Sequence, residues 1–106
     1  MTTRGQLAHV NDNWVVVVST DSLADILPTC WALLATPEPS SLGHPLQLEL
    51  PANSAGDHPQ LWIRTTQIRT VASQALKLIG SVPDHILTEL DRILPRLLDV
   101  ANPSHE

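Results

Sequence analysis

Apolar and polar positions recur with the spacing of a pleated strand along most of the chain, and only the C-terminal stretch changes to helical spacing. RGQLAHV (residues 4–10) and WVVVVST (14–20) are separated only by Asn11, Asp12 and Asn13. The first two of these residue types tolerate a tight backbone and β-branched residues suit a pleated surface, so a β-hairpin is predicted. DSLADIL (21–27) carries a capping residue and a run too short for a lasting helix before Pro28, which predicts a single turn or short helix. TCWALLAT (29–36), bounded by Pro28 and Pro37, has the length of a buried strand. LQLEL (46–50) alternates, with Leu46, Leu48 and Leu50 on one face and Gln47 and Glu49 on the other.

The connections on either side of LQLEL, PEPSSLGHP and PANSAGDHP, have the proline, glycine and serine content of surface loops. Beyond the second, QLWIRTTQIRTV (60–71) collects β-favouring residues, and ALKLIG (75–80) alternates again. Ile86, Leu87, Leu90, Ile93, Leu94, Leu97 and Leu98 then fall at offsets of three and four, one stripe of an amphipathic helix. Ser81, Pro83 and Asp84 supply a hydroxyl for capping, a first-turn proline and a carboxylate near the positive end of the dipole. Pro95, inside the stripe, is expected to break or kink the helix near residues 92–94, and the tail ANPSHE to fray. Strands first and a helix last predict a mainly β domain, a small barrel or curled sheet closed on one side by the helix.

Composition narrows the partners. A chain of 106 residues suits one domain, and a 42% hydrophobic content gives a modest core that would gain from dimerisation. Acidic residues outnumber basic ones 11 to 6, so any contact with nucleic acid must be local. The single cysteine, Cys30, excludes an internal disulfide and reads as a small buried hydrophobe, compatible with a reducing cytoplasm. The longest apolar runs are too short to span a bilayer and no leader pattern opens the chain, so a soluble, cytoplasmic protein with no membrane role is expected.

Several blocks taken in order resemble the MazF/PemK toxins of bacterial toxin–antitoxin modules. They are Arg4-Gly5 opening the first strand, VVVVSTD, a strand ending at Thr36, HPLQLELP, TTQIRTV, LKLIGSVP and the closing LTELDRIL helix. The resemblance covers roughly residues 4–100, and the expected organisation is a single MazF/PemK-like domain over residues 1–106 with that ordered core. It implies a small SH3-like barrel of the MazF/PemK/CcdB type with a C-terminal helix. It also implies a homodimer, a cognate antitoxin whose disordered segment wraps that dimer, and cleavage of single-stranded RNA with no metal or other cofactor.

Cleaving RNA at its own 2′-hydroxyl requires a proton acceptor, a donor to the leaving oxygen, and a cation or donor cluster where charge builds on phosphorus. The resemblance assigns much of this to an arginine, usually followed by proline, in a longer Gly-rich first loop, assisted by a threonine or serine ending the third strand. Asn13-Trp14 occupies the Arg-Pro position here, Asn11-Asp12-Asn13 replaces the long loop, and Asp12 repels phosphate. Thr36 matches the threonine, with a local backbone hydrogen bond as its competing role. Arg69 lies in the QIRT motif with Gln67 and offers a guanidinium to phosphate or to a partner carboxylate. Arg4 and Arg64 are the other basic residues outside the last strand and helix; 64 and 69 differ by an odd number, so only a bulge or turn brings them together.

His9, beside the short turn, is the alternative general base. His44 with Asp57 and His58 lacks a recognised metal spacing, so no metal site is expected. Trp31 and Trp62 are expected in the core, whereas Trp14 is left open between an RNA platform and a protein-facing residue. Two function classes result. One is a metal-independent endoribonuclease toxin with an atypical site, with Thr36, Arg69 and His9 as catalytic candidates and Arg4, Asn13, Trp14, Arg64 and Gln67 as RNA contacts. The other is a catalytically silent relative that binds an antitoxin or a topoisomerase such as gyrase.

Overall fold

The computed structural model describes residues 4–18, 29–39, 41, 43 and 46–101, the last six by backbone only. The turn or short helix expected over 21–27, His44, and the tail beyond Ala101 lie outside the described residues. The described strands are β1 (Gln6–Val10), β2 (Asn13–Val17), β3 (Thr29–Thr36), β4 (Gln47–Leu50), β5 (Leu61–Ala72) and β6 (Lys77–Ser81). A 3-10 turn, Ser73–Ala75, joins β5 to β6, and helix α1 spans Asp84–Ala101. One antiparallel sheet holds the strands in the order β4-β5-β3-β2-β1-β6, the mainly β architecture with a terminal helix that the patterning predicts.

The first hairpin is tighter than its sequence indicates. Asn13 joins β2 and pairs with Val10, leaving only Asn11 and Asp12 as the turn, with φ of 49° and 65°. Two successive left-handed residues make a type I′ geometry, whose twist matches that of paired strands, and Asn and Asp accept it at low cost. The Asn13 side-chain amide donates to the Asn11 carbonyl at 3.1 Å and closes the turn.

Strand parity gives the sheet a core on each face. Leu7, Val16, Leu33, Ala35, Leu48, Leu50, Leu61 and Ile63 form one buried cluster with Ile86, Leu90 and Ile93 of α1. The opposite face buries Ala8, Val10, Val15 and Ala32, over which Val71 and Leu76 pack. Each large aliphatic side chain in the helix-side cluster contributes about 1.5–3 kcal/mol relative to exposure. The helix is secured at the N-terminal end of the chain: Val82 N–H donates to the Gly5 carbonyl at 2.8 Å, and Arg4 pairs with Asp91. Gly5 has φ of 90°, and a Cβ there would lie 3.3 Å from Leu87.

Three expectations are corrected. The helix is not broken at Pro95: the hydrogen bond that proline removes would go to the Asp91 carbonyl, and both residues are exposed to water that can replace it. Ser81 does not cap α1; it pairs with Gln6 as the last residue of β6, and the Pro83 carbonyl accepts from Ile86 and Leu87. Neither predicted core tryptophan packs in a core cluster. Trp31 is 52% exposed, one row beyond the helix-side cluster on β3, and Trp62 has the opposite parity from buried Leu61 and Ile63.

The outermost strands β4 and β6 approach through a loop. Residues 51–60 leave β4 and lay Ala55-Gly56 on Ile79-Gly80 of β6, so that a Cβ on Gly80 would stand 2.0 Å from the Ala55 carbonyl oxygen. Backbone rests on backbone here, and only glycine fits at position 80. His58, buried within the loop, accepts the Ala55 N–H at Nε2 (3.0 Å) and donates from Nδ1 to the Pro59 carbonyl (2.6 Å). Trp14 lies edge-on between His58 and His9, at centroid distances of 6.3 and 4.9 Å.

Gly80→Ala is therefore expected to destabilise the fold by about 1–3 kcal/mol, read as a lower urea midpoint, because the crowded atom is a carbonyl and cannot rotate away. Cys30 is buried, and burial pushes its thiol up, with the Ser73 side chain offsetting part of the rise. The unfolded chain then loses the thiol proton first as pH climbs past about 8.5, so stability should fall above that pH. Urea midpoints measured from pH 7 to 10 should decline less steeply in Cys30→Val than in the wild type.

Candidate functional site

Which face each strand residue occupies decides what can meet. Ala35 pairs with Ile63 and Leu33 with Ile68, so two steps along β3 correspond to five along β5. The three surplus residues of β5 form an irregularity that reverses the parity of its second half. Arg64, opposite Gln47, points away from the helix-side cluster like Gln47 and Glu49. Arg69, opposite Ala32, emerges on that same face because Ala32 belongs to the opposite-face core. The condition that the sequence imposes on a meeting of the two arginines is met.

Thr36 pairs with Trp62 and so belongs to this face as well, as does Leu34, which pairs with Val15. Asn13 joins them from β2, paired with Val10. The expected site residues Asn13, Thr36, Arg64 and Arg69 thus share one surface, on the side of the sheet away from α1. A pocket of about 410 Å³ occupies part of it. Val10, Val15, Leu34, Ile68 and Val71 supply its apolar lining, and Asn11, Asn13, Arg69 and Thr70 its polar lining. Arg69 is exposed and makes no hydrogen bond or ion pair among the described residues. An unpaired guanidinium beside an apolar floor and two amides can hold an anionic group while a flat, apolar one rests on the floor.

The remaining expected residues lie elsewhere. His9 pairs with Trp14, and both project to the helix side, so His9 and Arg69 are on opposite faces of the sheet. Arg4 is engaged with Asp91 on α1. Gln67 falls within the irregular stretch of β5. The Thr36 hydroxyl donates to the Glu38 carbonyl at 2.7 Å, so its proton serves the strand end while its lone pairs stay available. His58 already uses both ring nitrogens on backbone groups. No group of three or more metal-ligating side chains occurs among the described residues. No helix among them is long and apolar enough to cross a membrane.

Sequence reading missed the pocket floor and the placement of Trp62. Trp62 follows from plain parity with Leu61 and Ile63, whereas the pocket floor depends on the irregularity between Ile63 and Ile68, which no residue type in that stretch announces.

Comparison with known proteins agrees with this architecture. Residues 9–98 match the family of PemK-like, MazF-like toxins of type II toxin–antitoxin systems. No curated protein matches the chain. Among solved structures, the MazE–MazF assembly (Form-III) of Deinococcus radiodurans contains a chain similar to this one with a TM-score of 0.75 at 19% identity, covering 92% of this chain and 95% of that one. An endoribonuclease in complex with its cognate antitoxin from a mycobacterial species gives 0.77 at 14% identity, with 92% and 95% covered. The Mycobacterium tuberculosis toxin MazF-mt6 gives 0.70 at 12%, with 89% and 94% covered. At these identities the structures establish a common fold, and the family match over most of the sequence establishes kinship: the chain belongs to the PemK-like, MazF-like toxins of type II toxin–antitoxin systems.

Proposed function

We propose that the protein is the toxin of a type II module, that it cleaves single-stranded RNA without a metal or cofactor, and that the face bearing Asn13, Thr36, Arg64 and Arg69 is where RNA lies. The observation that carries this reading is the convergence of those four side chains despite the odd spacing of the two arginines. Arg69 is the group suited to charge building on phosphorus during attack by the 2′-hydroxyl. Thr36 offers a hydroxyl oxygen to the sugar edge or a phosphate-bound water. A cognate antitoxin, a homodimeric state and a cytoplasmic setting complete the proposal, in keeping with complexes such as that of the mycobacterial endoribonuclease and its antitoxin.

Within one protomer His9 lies across the sheet from this face and is no base for it. A positioned acid or base contributes about 10²–10⁴-fold, so a site without one cleaves slowly. The same observation favours a second reading, a silent toxin relative acting through its antitoxin or a topoisomerase such as gyrase. The closed two-residue turn, where the family carries a long arginine-bearing loop, points the same way.

A mixed-sequence single-stranded RNA incubated with excess EDTA separates the two. Slow cleavage should be seen, lowered about tenfold or more by Arg69→Ala, the loss expected for one charge-assisted contact, and lowered also by Thr36→Ala. RNA that stays intact at high protein concentration, with an antitoxin-like or topoisomerase partner recovered, would establish the silent reading instead.

A further inference from the structure

The surface beyond the pocket carries a tryptophan that belongs to neither core cluster. Trp62 is half-buried, packs in neither core cluster, and stands directly across from Thr36 on β3 and Glu49 on β4. Two residues further along β5, on the same side of the sheet, comes Arg64, about 6.5–7 Å away along the strand. The Arg64 Nε is buried and has no hydrogen-bond partner. The buried Nε shows that neighbouring protein groups leave this guanidinium without a full set of acceptors, and the part of the half-buried side chain that does reach solvent is where a phosphate can meet it. Glu49 does not fill that role, because its carboxylate accepts the Gln60 side-chain amide at 2.5 Å and no ion pair joins it to Arg64.

We propose that Trp62 and Arg64 form a nucleotide subsite, Trp62 stacking against one base of a single strand and Arg64 binding the phosphate next to it. This rests on the RNA reading above and extends it along the same face, from Asn13 and Arg69 past Leu34 to the end of β3. An aromatic face accepts any base and an arginine beside it fixes the backbone, a combination that binds single strands without reading sequence. The order Trp62, Arg64, Arg69 along β5 places a flat group at one end of the strip and two cations toward the other. The irregularity in β5 is what puts the second cation on this side. Because the chain is acidic overall, these two guanidiniums supply the local attraction that its net charge of -5 does not.

The test uses a short fluorescein-labelled RNA of mixed sequence with every 2′-hydroxyl methylated, which cannot be cleaved, and reads binding by anisotropy. Trp62→Leu should weaken binding about five- to 150-fold, the range for loss of one stacked base, whereas Trp62→Phe should retain most of it. Arg64→Gln should weaken binding and reduce the slope of log affinity against log salt by about 0.7, the share of one phosphate contact on a single strand. With 5-fluorotryptophan in the unmutated protein, the fluorine resonance of Trp62 should move on titration while that of Trp31 stays still, a readout independent of any variant's folding. If the wild type binds and Arg69→Ala weakens it, yet Trp62→Leu and Arg64→Gln bind normally and the Trp62 resonance is unmoved, the subsite is wrong and the RNA reading stands. If the wild type does not bind the RNA, both fall together.

Discussion

The contact between the Ala55 carbonyl and Gly80 holds the fold in its shape, because it joins the two ends of an open sheet. Strands β4 and β6 lie at opposite edges, and their unpaired backbone groups would otherwise invite association with other chains. The loop of residues 51–60 brings them together with no strand pairing, by resting backbone on backbone where a methyl group would not fit. His58 keeps that loop compact by satisfying Ala55 N–H from inside, and Trp14 packs edge-on to the same imidazole. The closure thus links β2, the β4–β5 loop and β6, three parts of the chain distant in sequence. The curl it imposes leaves one face of the sheet for α1 and the other for the candidate site.

A second constraint acts within β5. It is the longest strand, and it pairs with β4 along its first part and with β3 on both sides of an irregularity. A regular strand of that length would present Arg64 and Arg69 to opposite sides. Three surplus residues turn the second arginine over, which disrupts the ladder and places Arg64 and Arg69 on one face of an acidic protein. The candidate site and a local irregularity of the hydrogen-bond ladder coincide here, as bulges and sites commonly do.

Much of the architecture was legible in the chain. Alternation marked β4 and β6, a cluster of β-favouring residues marked β5, proline marked both ends of β3, and the stripe of Ile86, Leu90 and Ile93 marked the helix face that is buried. Thr36 and Arg69 could be picked out because the family resemblance attaches to them. What stayed hidden was long-range. The placement of Arg69 on the same face as Arg64 depends on a mismatch between two strands, visible only when both are paired. Trp31 and Trp62 lie outside the core because a strand places every second side chain on the other face and because a core row ends where packing ends. Neither fact is carried by a residue's hydrophobicity. Pro95 misled for the opposite reason: its local rule is sound, but an exposed carbonyl has water as a substitute partner.

The tie between Gly5 and Val82, with Arg4 on Asp91, fastens the first described residues of the chain to helix α1 and the residue before it. Contacts spanning nearly the whole sequence form last and slowly, since most of the chain must be closed into a loop before they are made. A ribosome releasing this polypeptide emits β1 long before the segment that covers the helix-side core exists. Until α1 emerges, Leu7, Val16 and Leu33 have no lid, and the nascent chain remains an uncovered sheet. The same helix that completes the helix-side core is thus also the partner that the first strand's entry residues wait for.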